Sequence, residues 1–278
     1  MKIRLCIVTM TPELLYDAVD HAVSRASSPV GLSVYQNFCS VSQSVLREKD
    51  KVSDCLVLEQ WDLRTETTPP TRLNGGVVPA MTKLWEHAGD ADILFYIHDD
   101  CRILEQGWDD RIRRRFEQSP NCDAVGLVGG TGIGAEKIYR LDYAPIQLAR
   151  HNVWSNMTNA EANGRRRTDD MRIATADGCA LAVRRSFLDA HGGWSWCPTA
   201  NHGYDNGLAC MLRRHGKEFW LVPLAFEHPS SLKFSGVPAN QQAIESYAAT
   251  YGSDHSNWER AHRWLYDEFR DVLPFHVS

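Results

Sequence analysis

The chain has 278 residues, of which 43% are hydrophobic and 23% are charged, and its formal net charge is −5. A core of this length is stable without disulfides, and the acidic balance argues against a protein that coats nucleic acid by charge alone. Eight scattered cysteines without a Cys-x-x-Cys pair, and no apolar run of about 20 residues, predict a soluble cytoplasmic protein with reduced thiols and no membrane span.

Short apolar runs recur along the chain and predict the strands of a mainly parallel sheet. Several of them lack polar–apolar alternation, which is typical of strands that are buried on both faces. The runs are 3–10, 55–61, 91–98, 124–130, 178–184 and 219–228. Helical patterns lie between them, so the sequence predicts an α/β fold in which helices flank a central sheet.

Two helices are predicted from residue types that are typical of helix starts and ends. Pro79 suits the first turn of one helix and Gly89 ends it. The other begins near Asp205 and ends at Gly216. Residues 131–175 are rich in Asn, Arg, Asp and Gly, so we expect an insertion of long loops there.

The tail of the chain is amphipathic. Trp258, Ala261, Leu265 and Phe269 recur at helical spacing, which predicts a C-terminal helix that docks on the core.

Three polar side chains, His98, Asp99 and Asp100, stand at the end of the apolar run 91–98. Ligands of open α/β sheets bind beyond the carboxyl ends of the strands, so a ligand is expected here. Adjacent carboxylates repel each other, and a divalent cation is a common way to stabilise such a pair. The alternative is a helix N-cap, because Asp caps helices well and a helix could begin near Glu105.

The stretch "LNGGVVPAMTKLWEHAGDADILFYIHDDC" resembles the nucleotide-sugar-binding half of the family-two-like glycosyltransferases of the GT-A fold. The family pattern is an Asn-x-Gly turn, a helix, and a hydrophobic strand that closes on an acidic DXD-type motif. Asn74 and Gly76 match the turn, and His98-Asp99-Asp100 match the acidic motif. His98 replaces the usual first Asp, and imidazole is also a metal ligand.

Two later stretches are similar to the same family. "DGCALAVRRSFLDAHGGW" resembles its acceptor-side segment, and "HGYDNGLACMLRRHGKEFWLVPLAFEHPSSLKF" resembles the segment that runs from a Glu-Asp helix start to a terminal His. Asp205 falls on the second acid of that pair, Tyr204 stands in place of its Glu, and His228 falls on the terminal His. The motifs follow the family order, so we expect one GT-A catalytic domain over residues 1–278.

The resemblance implies a metal-dependent, inverting transfer of a sugar from a nucleoside-diphosphate sugar, such as a UDP-sugar, to an acceptor hydroxyl. It divides the chain into a nucleotide-sugar-binding half (1–100), an acceptor half (101–235) and a helical tail (236–278). Mn²⁺ or Mg²⁺ is the expected cofactor, because carboxylate and phosphate oxygens are hard ligands. Asp205 is the expected general base, and the alternative for this residue is the N-cap of the helix that begins there.

The remaining site residues are expected in three groups. The metal ligands are His98, Asp100 and His228. The donor-binding residues are Thr9, Glu59, Asp62, Asn74, Asp99 and Lys233. The acceptor-binding residues are Asp177, Gly178, Trp194 and Trp196.

The acceptor is a glycan or a hydroxylated base in modified DNA. The basic loop "GRRRTDD" (164–170) and Trp154 would offer phosphate and stacking contacts to DNA, whereas the acidic net charge favours a glycan. A second basic stretch, "RIRRRF" (111–116), is expected on a solvated helix face. The oligomeric state is left unassigned.

Two alternatives from other classes stay open. One is a sugar-nucleotide-binding module that keeps the GT-A architecture without catalysis, as the replacements at residues 98 and 204 suggest. The other is a metal-dependent phosphohydrolase built on His98, Asp99, Asp100, His202 and His228.

Overall fold

The computed structural model describes residues 1–37, 39–59, 61–62, 71–72, 76–133, 154–155, 166–228 and 254–277. Within these ranges, the side chains of 61–62, 71–72, 154–155 and 254–255 are not described. The predicted donor residues Asn74 and Lys233 therefore lie outside the described residues, as does the side chain of Asp62.

Strands and helices alternate through most of the described chain. The strands are β1 (Ile3–Thr9), β2 (Val30–Gln36), β3 (Val52–Glu59), β4 (Trp61–Asp62), β5 (Thr71–Arg72), β6 (Ile93–His98), β7 (Arg102–Ile103), β8 (Cys122–Gly126), β9 (Val128–Gly130), β10 (Gly132–Ile133), β11 (Trp154–Ser155), β12 (Met171–Ile173), β13 (Thr175–Ala176), β14 (Ala180–Arg184), β15 (Glu218–Leu221), β16 (Phe226–Glu227) and β17 (Phe275–His276). The helices are α1 (Pro12–Arg25), α2 (Gln43–Arg47), α3 (Val77–Glu86), α4 (Trp108–Gln118), α5 (Arg185–His191), α6 (Tyr204–Arg214) and α7 (Asp254–Glu268).

An eight-stranded sheet forms the centre of the fold, in the order β12-β15-β8-β14-β6-β1-β2-β3. β6, β1, β2 and β3 run parallel, as do β8 and β15. β14 is antiparallel to both of its neighbours, and the edge strand β12 is antiparallel to β15. This confirms the predicted α/β architecture with a mainly parallel central sheet.

Among the described residues, four small sheets accompany the central one. β9 pairs with β11 and β13, β16 with β7, β10 with β17, and β4 with β5. The pair β16–β7 brings the chain just before His228 next to the chain just after Asp100.

Helices cover both faces of the sheet, which gives three layers. One hydrophobic cluster holds the apolar side chains of α1, α2 and α4, such as Leu15, Leu46 and Trp108. The other holds those of α3, α5, α6 and α7, such as Leu84 and Leu208. β1 contributes to both clusters because its successive side chains point to opposite faces.

The start of α3 is held by the loop that leads into α6. Gly76 precedes the helix with φ of 75°, and a Cβ there would lie 2.8 Å from the Cβ of Ala200, so glycine is required both by the backbone and by the close approach. Val77 N donates to Asn201 Oδ1 at 2.9 Å, and Val78 N donates to Ala200 O at 2.8 Å. The loop thereby satisfies two amides that a helix start leaves without intrahelical partners.

Most predicted elements have a counterpart, but β2 is absent from the predicted strands. All seven of its residues are buried. Gly31 and Ser33 interrupt its apolar pattern, although Ser33 is satisfied by a 3.0 Å hydrogen bond from Arg4 Nη1. The C-terminal helix is present as α7, with Ala261 and Leu265 fully buried. The division of the chain at residues 100 and 235 stays a prediction.

The solvated face that was expected for residues 111–116 is present only in part, because Arg114 is exposed while Arg111, Arg113 and Arg115 are half-buried. Arg113 forms ion pairs with Asp109 and Asp110. Arg115 lies 3.9 Å from the centre of the Trp220 ring and 3.6 Å from a carboxylate oxygen of Asp170. Asp170, the last residue of the stretch 164–170, therefore contacts α4.

Candidate active site

The predicted site lies at the carboxyl end of β6, beside the start of α6. His98 is the last residue of β6, and its backbone N donates to Cys179 O at 2.9 Å. Asp99 and Asp100 follow in a turn that is closed by a 3.1 Å hydrogen bond from Cys101 N to His98 O. Neither carboxylate caps a helix start, because α4 begins at Trp108 with Gly107 before it. The capping alternative for these two residues is therefore wrong.

Three side chains converge into a possible metal site. One ligand atom from each of His98, Asp100 and His228 can be chosen so that all three lie within 4.8 Å of one another. His98 Nδ1 is 3.3 Å from His228 Nε2, and His228 Nε2 is 3.2 Å from Asp100 Oδ1. Two imidazoles and a carboxylate at this separation are a donor set that fits a divalent transition-metal ion.

Burial sets the protonation of His98. It lowers the pKa of the His98 imidazole below its usual value, and the neighbouring His228 lowers it further, while Asp100 and Asp177 act in the opposite direction. The ring is therefore neutral near pH 7. A neutral imidazole is the form that binds a metal ion.

Asp99 faces away from this cluster and contacts β1. Its Oδ2 accepts a 2.8 Å hydrogen bond from Thr9 Oγ1, which lies at the end of β1. Burial raises the pKa of Asp99 to about 6, against the hydrogen bond from Thr9, and the charge of Asp100 raises it further. The two adjacent carboxylates thus have different surroundings: Asp99 contacts Thr9, whereas Asp100 contacts His228.

Asp205 lies in the first turn of α6, after Gly203, which occupies the capping position. Its Oδ1 accepts a 2.8 Å hydrogen bond from Asn206 N. The side chain is half-buried, and the positive end of the helix dipole favours its charged form. Asp205 is therefore not the N-cap of α6, and it directly follows Tyr204, whose hydroxyl contacts His98.

Glu59 lies at the end of β3, as expected. It accepts a 2.7 Å hydrogen bond from Gln36 Nε2, at the end of β2. Thr9, Gln36 and Glu59 are paired in register across three parallel strands, so the carboxyl edge of the sheet carries a row of polar side chains.

The predicted acceptor residues fall into two environments. Asp177 is half-buried, with Oδ1 accepting from Cys179 N at 3.0 Å, and Gly178 lies against Tyr204. Trp194 is fully buried, with its ring edge-on to Tyr96, so it supports the site from the core. Trp196 packs on Trp194 with ring centres 5.7 Å apart.

Tyr204 is the residue whose importance the sequence does not reveal. Its side chain is only 6% exposed, and its Oη lies 3.3 Å from His98 Nε2 and 3.3 Å from Gly178 O. The available signal is the pair of departures from the family pattern, His98 for Asp and Tyr204 for Glu. These two replaced residues contact each other directly.

Neither a protein-family model nor a curated protein sequence matches the chain. Solved structures do match it. The structure of GalNAc-T7 with UDP, GalNAc and Mn²⁺ superposes with a TM-score of 0.56 at 14% identity, over 98% of this chain and 57% of that chain. TarS of S. aureus superposes with a TM-score of 0.50 at 11% identity, over 80% of this chain and 35% of that chain.

The fold is GT-A. The predicted fold is thereby confirmed, while identities of 14% and 11% carry no more than the fold. The chain spans about half or less of the length of these two proteins. Among the helices that the structure describes, none has the length and apolar character needed to cross a bilayer.

Proposed function

We propose that the chain is a metal-dependent glycosyltransferase that moves a sugar from a nucleoside-diphosphate sugar to an acceptor hydroxyl. The observation that carries the proposal is the convergence of His98, Asp100 and His228 at the carboxyl end of β6, on a GT-A fold. GalNAc-T7, a structural neighbour, was crystallised with UDP, GalNAc and Mn²⁺, which makes a UDP-sugar the first donor to test.

His98, Asp100 and His228 would hold the metal ion. Two imidazole ligands disfavour Mg²⁺, which prefers oxygen ligands in strict octahedral geometry, so Mn²⁺ is the better candidate of the two. The bound ion would supply positive charge to the diphosphate of the leaving group.

Asp205 would act as the general base. Its carboxylate lies in the first turn of α6, where the helix dipole favours a negative charge, and a carboxylate can accept a proton from the acceptor hydroxyl. Removal of that proton as the hydroxyl attacks the anomeric carbon implies inversion of configuration. Asp205 is the only member of the expected Glu-Asp pair in this chain, so the proton has a single proposed destination.

Donor binding is assigned to the polar edge of the sheet. Thr9, Glu59 and Asp99 are the described members, with Asp62, Asn74 and Lys233 proposed from the family resemblance. The hydrogen bond from Thr9 to Asp99 orients that carboxylate, and a ribose hydroxyl is the group that such a carboxylate would accept from.

The acceptor is assigned to Asp177, Gly178 and Trp196, and the fully buried Trp194 supports them from the core. The indole Nε1 of Trp196 is buried without a hydrogen-bond partner among the described residues, so it could donate to an acceptor hydroxyl that enters the site. A glycan is preferred over modified DNA because the chain carries a net charge of −5. We place the protein in the cytoplasm, which agrees with eight buried cysteines and no disulfide.

The experiment is a thermal shift of the purified chain against a panel of nucleoside diphosphates and nucleotide sugars, each with Mn²⁺, with Mg²⁺ and with EDTA. A ligand that binds only the folded state raises the melting temperature. Stabilisation by one nucleotide family that needs Mn²⁺ supports the proposal. No response to any nucleotide would overturn it and favour the phosphohydrolase.

Hydrolysis of the stabilising nucleotide sugar then separates an enzyme from a binding module. A transferase commonly transfers the sugar to water when no acceptor is present. Release of the nucleoside diphosphate supports catalysis, whereas binding without release favours the module.

A further inference from the structure

Tyr204 occupies a position that links the metal site to the backbone of the acceptor side. Its ring is buried edge-on to Trp194, with ring centres 6.1 Å apart, and its hydroxyl lies between His98 and Gly178. The close packing leaves no room for a side chain at residue 178, because a Cβ there would lie 2.2 Å from Tyr204 Oη. The hydroxyl is therefore held in a fixed place by its surroundings.

The carbonyl group of Gly178 fixes the direction of the hydrogen bonds around Tyr204. Gly178 O is a carbonyl oxygen and can only accept, so the hydroxyl proton of Tyr204 points to it. The remaining lone pairs of Tyr204 Oη then face His98 Nε2, at 3.3 Å. His98 Nε2 must carry a proton in order to bond to them.

The contacts of the other ring nitrogen of His98, Nδ1, also indicate that the proton is on Nε2. Asp100 is a carboxylate and can only accept, so His228 Nε2, at 3.2 Å from it, carries a proton. That nitrogen also lies 3.3 Å from His98 Nδ1. A nitrogen that carries its own proton cannot accept another, so His98 Nδ1 is unprotonated and its lone pair faces His228 Nε2.

We propose that Tyr204 is a positioning residue that fixes His98 as its Nε2–H tautomer and so presents the Nδ1 lone pair to a metal ion. This inference rests on the metal site of the proposed function. A histidine that binds a metal is commonly oriented by a hydrogen bond from its other ring nitrogen, and loss of such a partner typically costs about 10–100-fold in metal affinity.

The same arrangement explains why the two departures from the family pattern occur together. An Asp at position 98 would have no ring N–H to donate, and a Glu at position 204 would need its own proton or a cation. His98 and Tyr204 satisfy each other instead. A metal ion held here would leave the proton of His98 on Nε2, whereas His228 Nε2 would have to release its proton to solvent before it could be a ligand.

The first test needs no variant. Nitrogen-15 NMR of the wild-type chain with labelled histidine distinguishes the two neutral tautomers by the chemical shifts of the ring nitrogens, and His98→Gln assigns the signal. We expect the Nε2–H tautomer for His98 without metal and with Mg²⁺ or Zn²⁺ added as diamagnetic probes. A proton on Nδ1 of His98 in the metal-free chain overturns the proposal.

The second test removes only the hydroxyl, in Tyr204→Phe. The matched control is Tyr96→Phe, because Tyr96 is also buried and packs on the same Trp194, while its hydroxyl donates to Met81 O at 3.5 Å rather than contacting the His98 ring. Mn²⁺ affinity is measured by electron paramagnetic resonance without donor or acceptor. We expect a loss of about 10–100-fold for Tyr204→Phe and less than about twofold for Tyr96→Phe. Equal affinities in the two variants would overturn the role of Tyr204.

The His98→Asp background separates orientation of the ring from general packing. No imidazole remains there to be oriented, so Tyr204→Phe should change the Mn²⁺ affinity of His98→Asp by less than about twofold. A full loss in that background means that Tyr204 acts through packing and overturns the proposal. If the wild-type chain binds no Mn²⁺ but His98 is the Nε2–H tautomer, the metal site fails and the orientation of His98 by Tyr204 stands.

Discussion

Gly178 and Tyr204 fit together so closely that the hydroxyl of one fills the space of the absent side chain of the other. A Cβ at residue 178 would lie 2.2 Å from Tyr204 Oη and 2.6 Å from Tyr204 Cζ. The backbone of the acceptor side and the start of α6 are thus in direct contact. Residues 178 and 204 are 26 positions apart in the chain.

Gly178→Ala should displace Tyr204 and weaken both stability and metal binding. Overpacking of this kind costs about 1–3 kcal/mol of unfolding free energy, which denaturant titration measures. In the Tyr204→Ala background the space is open, so the same substitution should cost less than about 1 kcal/mol. Equal costs in the two backgrounds would show that the steric contact is not what requires glycine.

Asp100→Asn should abolish Mn²⁺ binding while leaving the fold intact. The substitution keeps the shape of the side chain and removes the one carboxylate of the three converging ligands, so the loss should exceed the roughly 10–100-fold typical of an outer hydrogen-bond partner. The matched control is Asp90→Asn, whose carboxylate is 75% exposed and pairs with Lys2. Unchanged Mn²⁺ affinity in Asp100→Asn, measured by calorimetry, would exclude Asp100 as a ligand.

The sequence predicts the parts of the site that are close to one another along the chain. His98, Asp99 and Asp100 are recognisable because an apolar strand ends in three polar residues. The contact between His98 and His228 joins residues 130 positions apart, and the pairing of β16 with β7 helps to bring them together. The family resemblance predicts that His228 joins this site, whereas the spacing of hydrophobic residues does not.

β2 and Tyr204 show two further limits of sequence analysis. β2 contains Gly31 and Ser33, and its polar Ser33 is tolerated because Arg4 reaches it from the neighbouring strand β1. That compensation is a tertiary contact and leaves no local pattern. In the sequence, Tyr204 is recognisable only as a replacement of the Glu in the expected Glu-Asp pair. Its contact with the ring of His98 is seen only in the structure.

Asp205→Asn should lower turnover with little change in donor affinity. Removal of a general base typically costs about 10²–10⁴-fold in rate, and nucleotide-sugar hydrolysis in the absence of acceptor measures it. The loss of a first-turn charge by itself changes helix stability by only about 0.3–1 kcal/mol. Asp110→Asn, in the first turn of α4, is the control for that smaller effect. A parallel loss of donor binding in Asp205→Asn would assign Asp205 a structural role.

The docking of α7 should weaken in mild acid because of His262. This residue is only 7% exposed, and its ring lies 3.9 Å from that of Trp258, centre to centre. Burial lowers the pKa of His262 below its usual value and His202 lowers it further, against a hydrogen bond with Trp258 O. In the unfolded chain a histidine has a pKa of about 6.5.

Below about pH 6.5 the unfolded chain therefore binds a proton that the folded chain does not, and the contribution of His262 to stability is lost as the pH falls towards its folded pKa. The unfolding free energy of the wild type should decrease from pH 7.5 to pH 5.5 by more than that of His262→Gln, as measured by denaturant titration at both pH values. The other titrating groups are common to both proteins and cancel in the difference. Two parallel pH profiles would mean that the buried imidazole is protonated without cost and that α7 tolerates its charge.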